Sequence, residues 1–168
     1  MKNWYAVYTK SRKEQLAEEN LRNQDYEVYL PRIRQGRTRL GRLRKVIEPL
    51  FPRYLFINVN LTEDNTAPVR STRGVTGLVR FDGEPVPVPD EFMVELMDSC
   101  EDVDGKPVMG GAVLKEGDPV VILEGPFQGL AGVLQGQTGE ERVLVLLRIL
   151  GRESSVAFPV ESLAPSAK

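Results

Sequence analysis

The sequence predicts an α+β domain followed by a small all-β domain, and three observations carry that reading. Short β-branched and aromatic runs lie on both sides of a helix-like stretch within residues 1–100. A glycine- and acid-rich stretch without periodicity, 101–113, reads as a linker. Residues 114–168 alternate valine- and leucine-rich runs with glycine turns, the pattern of a small barrel.

The elements follow in order. Trp4–Tyr8 is a strand, being aromatic and β-branched. Ser11 with Glu14 has the spacing of a capping box, and Leu16, Ala17 and Leu21 follow at helical spacing, so a helix is expected over 11–24. Tyr26–Leu30 returns as a strand. Residues 32–45 carry Arg32, Arg34, Arg37, Arg39, Arg42, Arg44 and Lys45 with no acid among them, broken by Gly36 and Gly41. That tract predicts a twisted hairpin with a mobile tip. Pro49 to Pro52 is a rigid turn because both prolines fix φ.

Arg53–Val59 is the clearest strand. Leu55, Ile57 and Val59 take one face, Tyr54 and Phe56 the other. If the first face packs on helices, the two aromatics look outward as a partner site; a strand buried on both faces fits the same pattern. A short helix is expected within Thr62–Ser71, a strand over Gly74–Phe81, and a helix over Asp90–Cys100 with Phe92 and Leu96 inward. In the second domain, strands are expected at Pro119–Leu123, Leu130–Leu134, Val143–Ile149 and Val156–Pro159.

Charge is uneven. The net charge of −2 hides 16 Lys/Arg against 8 Asp/Glu in residues 1–81, and 9 Asp/Glu with no base in 82–105. A basic first half suits an anionic partner. The absence of histidine and the single cysteine, Cys100, remove the usual general base, the usual metal ligands and any internal disulfide. No enzyme, metal or cofactor is expected. Met1 leads directly into a strand-like run and no apolar stretch is long enough for a span, so a cytoplasmic monomer without membrane contact is expected.

Trp4–Tyr8 with Lys10, Glu48-Pro-Leu-Phe-Pro-Arg-Tyr-Leu-Phe56, Thr72-Arg-Gly-Val75 and Val79–Phe81 occur in the order and spacing of the NusG N-terminal domain. Gly117 to Gly129, with Gly132 and Val133, resembles the KOW motif of its C-terminal domain. The chain thus resembles the NusG/RfaH family of transcription elongation factors over nearly its whole length, and the Glu48–Pro52 block leans toward RfaH-like specialised paralogues.

The resemblance implies a binding protein with three domain-level parts: 1–100 on RNA polymerase, a linker at 101–113, and a KOW (SH3-like) barrel at 114–168. It implies that Tyr54 and Phe56, with Phe81 and Phe92 as neighbours, grip the β′ clamp helices. RfaH-type proteins touch the polymerase β gate loop through a His-Thr-Thr element. This chain has Asp64-Asn-Thr-Ala67 there, leaving Thr66 for a weaker contact. Lys10, Arg12, Lys13, Thr72 and Arg73 resemble the basic face turned toward upstream or non-template DNA. Arg37, Arg39 and Arg42 of the tract and a stacking Tyr8 suit the same ligand. Leu150, beside Gly151, resembles the barrel tip that meets the ribosomal protein NusE; recruitment of Rho is left open. A core position is an equal reading for Leu150. The competing class is a ribosome-associated or RNA-binding KOW protein, which the slightly acidic 106–168 disfavours.

Glu48 and Arg142 match the pair that locks the two domains of RfaH-type relatives, in which the C-terminal segment forms an α-helical hairpin instead of a barrel. Helix propensity opposes that here. Pro119, Gly125, Pro126, Gly129 and Gly132 would fall in the first helix, and Gly139, Val143, Val145 and Gly151 in the second. The barrel is the expectation and the hairpin the minority alternative.

Overall fold

The structure is a computed structural model, and it describes residues 1–110, 120–122, 130–135, 137–151 and 163–165. Strand β1 (Asn3–Thr9) lies between β5 (Tyr54–Val59) and β6 (Val75–Leu78), and β2 (Glu27–Tyr29) flanks β5. The pairings are all antiparallel. Helix α1 (Glu14–Arg22) covers one face of this sheet, where Ala17 and Leu21 pack with Val7, Leu55, Ile57 and Val59. This is the α+β class, with the residue alternation of β5 as the organising feature.

The helix starts later than its sequence signal. Ser11 and Arg12 form a turn in which Arg12 has φ 62°, and Lys13, not Ser11, is the N-cap, with no side-chain cap bond. Glu14 does not reach back to close a capping box; its carboxylate accepts the backbone N–H of Arg53 at 3.0 Å. A tertiary bond has displaced the local one.

The arginine tract forms β3 (Arg32–Arg39) and β4 (Arg42–Pro49) around a Leu40–Gly41 turn. Its charge is partly met by acids from other elements and from the end of β4. Arg32 is buried against Glu18 at 3.1 Å, Arg34 lies 3.8 Å from Glu101, and Arg37 donates to both oxygens of Glu48 at 2.7 and 2.8 Å.

Residues 100–109 are structured, contrary to the linker reading. Strands β9 (Cys100–Val103) and β10 (Lys106–Met109) form a hairpin over Asp104–Gly105, and β10 adds in parallel to β3. Both turn residues have positive φ, 52° and 77°, which Asp-Gly tolerates. Val108 and Met109 are buried, which is what holds the segment down. Residues 111–113 lie outside the described residues.

The Gly74–Phe81 run divides into β6 and β7 (Arg80–Phe81), and β7 pairs with β8 (Glu84–Pro85). The short helix is the 3-10 turn Ala67–Ser71, and the later helix is α2 (Asp90–Asp98).

The largest departure is in the second half. Leu130–Leu134 and Val143–Ile149, expected as strands, are helical: α3 spans Leu130–Gln135 and α4 spans Gly139–Leu150. Strand β11 (Val120–Ile122) keeps the expected extended run and pairs with β12 (Leu163–Pro165), while Val156–Pro159 lies outside the described residues. Gly132 lies inside the described part of α3, while Pro119, Gly125, Pro126 and Gly129 lie outside the described residues. In α4 the glycine penalties counted from the sequence are avoided. Gly139 is the first residue of α4 and Gly151 its C-cap, positions where glycine costs little.

Thr138 and Glu141 complete a capping box at the start of α4, each side chain bonding the other's backbone N–H at 3.2 Å. Losing such a cap costs about 1 kcal/mol. Thr138→Ala is therefore expected to lower the helical circular dichroism of the full chain and its thermal midpoint by a few degrees. Thr138→Ser should retain both, and an alanine variant indistinguishable from the parent would show the cap to be idle.

Candidate functional site: a covered aromatic face and a basic edge

The face of the β-sheet opposite α1 is aromatic. Phe51, Phe56 and Phe92 form a triangle with ring centroids 6.1 to 6.3 Å apart. They share one core cluster with Leu130, Leu134, Val145, Leu146, Ile149 and Leu150 of the two C-terminal helices. Phe56 is 0% exposed, as is Phe92. The outward reading of the Tyr54–Phe56 face is thereby corrected: α2 and the C-terminal helices cover Phe56, and β5 is buried on both faces. Phe81 is half-buried beside the same cluster.

Tyr54 sits at the rim of this face. It is half-buried, and its ring lies 5.1 Å from that of Tyr8, which the Arg53 guanidinium covers at 4.4 Å. Burial pushes the Tyr54 hydroxyl pKa up, with Tyr8 adding and Arg53 opposing, so it stays a neutral donor. Both tyrosines line an open cleft with Thr66, Arg70 and Arg80. Thr66 lies half-exposed at the mouth of the 3-10 turn. The loop before it is pinned, since Asp64 accepts the Asn60 N–H at 2.8 Å and the Asn65 carbonyl accepts the Tyr26 hydroxyl at 2.6 Å.

One polar cluster fastens the C-terminal helices to this domain. Arg142 is 1% exposed. Its Nε donates to the Leu50 carbonyl at 2.6 Å and one terminal nitrogen to the Gln137 carbonyl at 2.7 Å. The other terminal nitrogen lies 3.4 Å from Glu48 Oε1. Burial lowers the Arg142 pKa and Glu48 partly opposes that shift, so the pair offsets some of the cost of a charge inside the protein. Glu48 also holds Arg37, so a single carboxylate joins the arginine hairpin to α4. Gly139 permits the close approach, because a Cβ there would meet Pro52 at 2.9 Å.

Leu150 is 1% exposed and belongs to the apolar cluster. The exposed-tip reading is corrected for this arrangement, because the helical spacing of Val145, Leu146, Ile149 and Leu150 directs all four to one buried stripe.

The basic edge is built at the start of α1. Lys10 N–H donates to the Gly74 carbonyl at 2.9 Å, and a Cβ at Gly74 would lie 3.0 to 3.1 Å from the Ala17 nitrogen and the Lys13 carbonyl. Gly74, with φ 91°, thus lets the 72–74 loop press against α1. Lys10, Arg12, Lys13 and Arg73 are all exposed along that edge. Thr72 is not: it is buried, accepts from Gln24 Nε2 at 2.8 Å and donates to the Pro68 carbonyl at 2.9 Å. Thr72 belongs to the loop's own framework. Arg37 is exposed but held by Glu48, and Arg42 is exposed; the side chain of Arg39 lies outside the described atoms.

The family profile described as "Transcription termination factor nusG" matches residues 2–97. The chain belongs to the NusG family. It is 31% identical to "Transcription termination/antitermination protein NusG" of Deinococcus radiodurans, covering 96% of this chain and 97% of that one. The protein of the same name from Thermus thermophilus is 32% identical, over 91% and 92% of the two chains. That of Staphylococcus aureus strain N315 is 30% identical over 92% and 91%. A solved structure titled "Domain interaction in Thermotoga maritima NusG" aligns with TM-score 0.46 at 28% identity, covering 76% of each chain.

Among the described residues no cluster of His, Cys, Asp and Glu is arranged to hold a metal, and no helix is long and apolar enough to cross a membrane. Sequence reasoning missed Phe51, Gln137 and the Thr138–Glu141 cap. The cap was readable as a threonine with a glutamate three residues on.

Proposed function

We propose that this chain is a transcription elongation and antitermination factor of the cytoplasm whose aromatic face grips the RNA polymerase β′ clamp helices, and whose C-terminal helices mask that face until recruitment. Its action is non-enzymatic: bound across the main channel, it shifts polymerase away from the pausing-prone open clamp by differential binding. The observation that carries this reading is the complete burial of Phe56 in a core shared with α2 and the C-terminal helices, which Arg142 fastens to Glu48 and Leu50. An aromatic face with a dedicated, charge-locked cover is what a regulated binding site requires. Two packings of one segment need differ by only a few kcal/mol to interconvert. The glycines and valines of 114–168 then serve the second state, a KOW barrel, whose Leu150 tip becomes available to NusE after release. Thr66 and the Tyr8–Tyr54 cleft supply the weaker contact toward the β gate loop.

The basic edge meets upstream or non-template DNA. Lys10, Arg12, Lys13 and Arg73 take phosphates, with Arg37, Arg39 and Arg42 of the hairpin extending the track. Each phosphate contact removed lowers the salt slope of binding by nearly 1 unit. Lys10→Glu with Arg73→Glu is expected to lower that slope by about 2 and weaken binding to single-stranded DNA across sequences. An unchanged slope would leave the edge as solvated surface. The overall reading is tested by pulldown of core polymerase and by pause assays on the recovered complexes. Failure of the released chain to retain core polymerase would overturn it.

A further inference from the structure

The β3–β4 hairpin has two features that its own stability does not explain. Leu40 and Gly41 make its turn with φ of 53° and 75°. Positive φ at both positions favours Asn-Gly or Asp-Gly, and a leucine is strained there. Burial does not compensate, since Leu40 is 95% exposed. The register also sets Arg37 opposite Arg44 and Arg39 opposite Arg42, like charges where opposite charges stabilise a ribbon. Glu48 relieves Arg37, but Arg42 and Arg44 are exposed and have no ion pair among the described residues. Arg37, Leu40, Arg42, Arg44 and Val46 line one shallow groove at the tip. Leu43 is 74% exposed beyond it, lying over Gly36, where a Cβ would come 3.2 Å from its Cδ1.

We propose that this tip is an apolar wedge on a cationic ribbon: it enters the minor groove of duplex DNA, inserting Leu40 between adjacent base pairs while Arg42 and Arg44 hold the flanking phosphates. The proposal rests on the reading that the basic half of the chain meets DNA, and adds that part of that DNA is duplex and is unstacked. A protruding leucine flanked by unneutralised guanidiniums has the chemistry of minor-groove proteins that kink DNA with apolar side chains. Phosphates supply the anions that the facing arginines lack, and the space between unstacked base pairs supplies the apolar contact that Leu40 lacks in the free protein. An anionic lipid surface would also attract the arginines. Two leucines bury too little to hold it, given that a whole myristoyl chain binds only marginally.

The test uses the full chain and a duplex of about 20 base pairs carrying 2-aminopurine beside a flexible TA step, at low salt. Wild type is expected to bind and raise the fluorescence severalfold as the base unstacks. Leu40→Asn suits the turn better than leucine, so its fold is not at risk; it should bind with the same salt slope and give no rise. Arg42→Glu with Arg44→Glu should weaken duplex binding about tenfold or more. Wild-type binding without a rise, or a rise that survives Leu40→Asn, overturns the wedge alone and leaves the basic edge standing. No binding to duplex or single strand overturns both. Leu40-dependent binding to phosphatidylcholine/phosphatidylglycerol vesicles, with no rise on DNA, assigns the tip to lipid and overturns the proposal.

Discussion

Replacing Arg142 with alanine is expected to raise the affinity of the chain for a β′ clamp-helix fragment by at least about 100-fold. The side chain is buried and makes contacts to Leu50, Gln137 and Glu48. Its removal leaves the Leu50 and Gln137 carbonyls without that donor. It also leaves Glu48 with Arg37 as its remaining ion-pair partner among the described residues. Breaking a buried ion pair by deleting one partner costs about 3–5 kcal/mol, because the remaining groups stay desolvated. That cost falls on the masked arrangement and not on the released one. Since apparent affinity scales with the fraction of chains competent to bind, most of it appears as tighter binding. Arg142→Lys keeps the charge but loses the planar fork that spans three acceptors, and should fall between the two. Titration of the fragment against the three chains measures this. Equal affinities, with equal helical circular dichroism, would mean that Arg142 locks nothing.

Tyr54→Ala, made in the Arg142→Ala background, is expected to weaken the same binding by about 30-fold or more, as truncation of an interface hot-spot aromatic costs about 2 kcal/mol or more. The background matters because the parent chain masks the neighbouring face, and a loss would be read against weak binding. Tyr54 suits the test better than Phe56. It is half-buried at the edge of the cluster, with its ring beside Tyr8, and is not itself a member of the aromatic triangle. Phe56→Ala would empty a core position and cost about 3–5 kcal/mol of stability, confounding fold with function. Phe56→Leu keeps most of the volume and is the companion variant. Tyr54→Phe should retain most of the affinity if the ring is the anchor. An undiminished affinity in Tyr54→Ala, with the fragment still bound to the same chain, would remove this face from the interface.

The first half of the fold was legible because its signals are local. The alternation of Leu55, Ile57 and Val59 against Tyr54 and Phe56 defined β5 and its two faces, and the acid-free arginine tract with two glycines defined the hairpin. Asp104-Gly105 was an equally local hairpin signal, overlooked because the surrounding acids and glycines suggest a linker. The second half misled for a physical reason. Counting prolines, glycines and valines against a helix assumed that the helix would span all of 115–133. Of the described residues in that span, Val120–Ile122 are extended and only those from Leu130 onward are helical. The buried set at 142, 145, 146, 149 and 150 has helical spacing, and the Thr138–Glu141 cap precedes it. Both were readable, but weak propensities were weighed against packing that no single segment displays. Burial of Phe56 depends on a cluster that includes Phe92 and the C-terminal helices, and burial of Thr72 goes with Gln24, 48 residues away; no local pattern carries either.

Amide hydrogen exchange across 139–150 in the full chain, alone and with a saturating β′ clamp-helix fragment, tests the masking most directly. In the free chain, these amides should be protected as a packed helix, along with the Leu50–Phe56 segment beneath them. Adding the fragment should strip the helical protection from 139–150 while Leu50–Phe56 stays protected, now by the polymerase element. Fragment binding that leaves the protection of 139–150 unchanged would contradict the account, since the two would then occupy different surfaces.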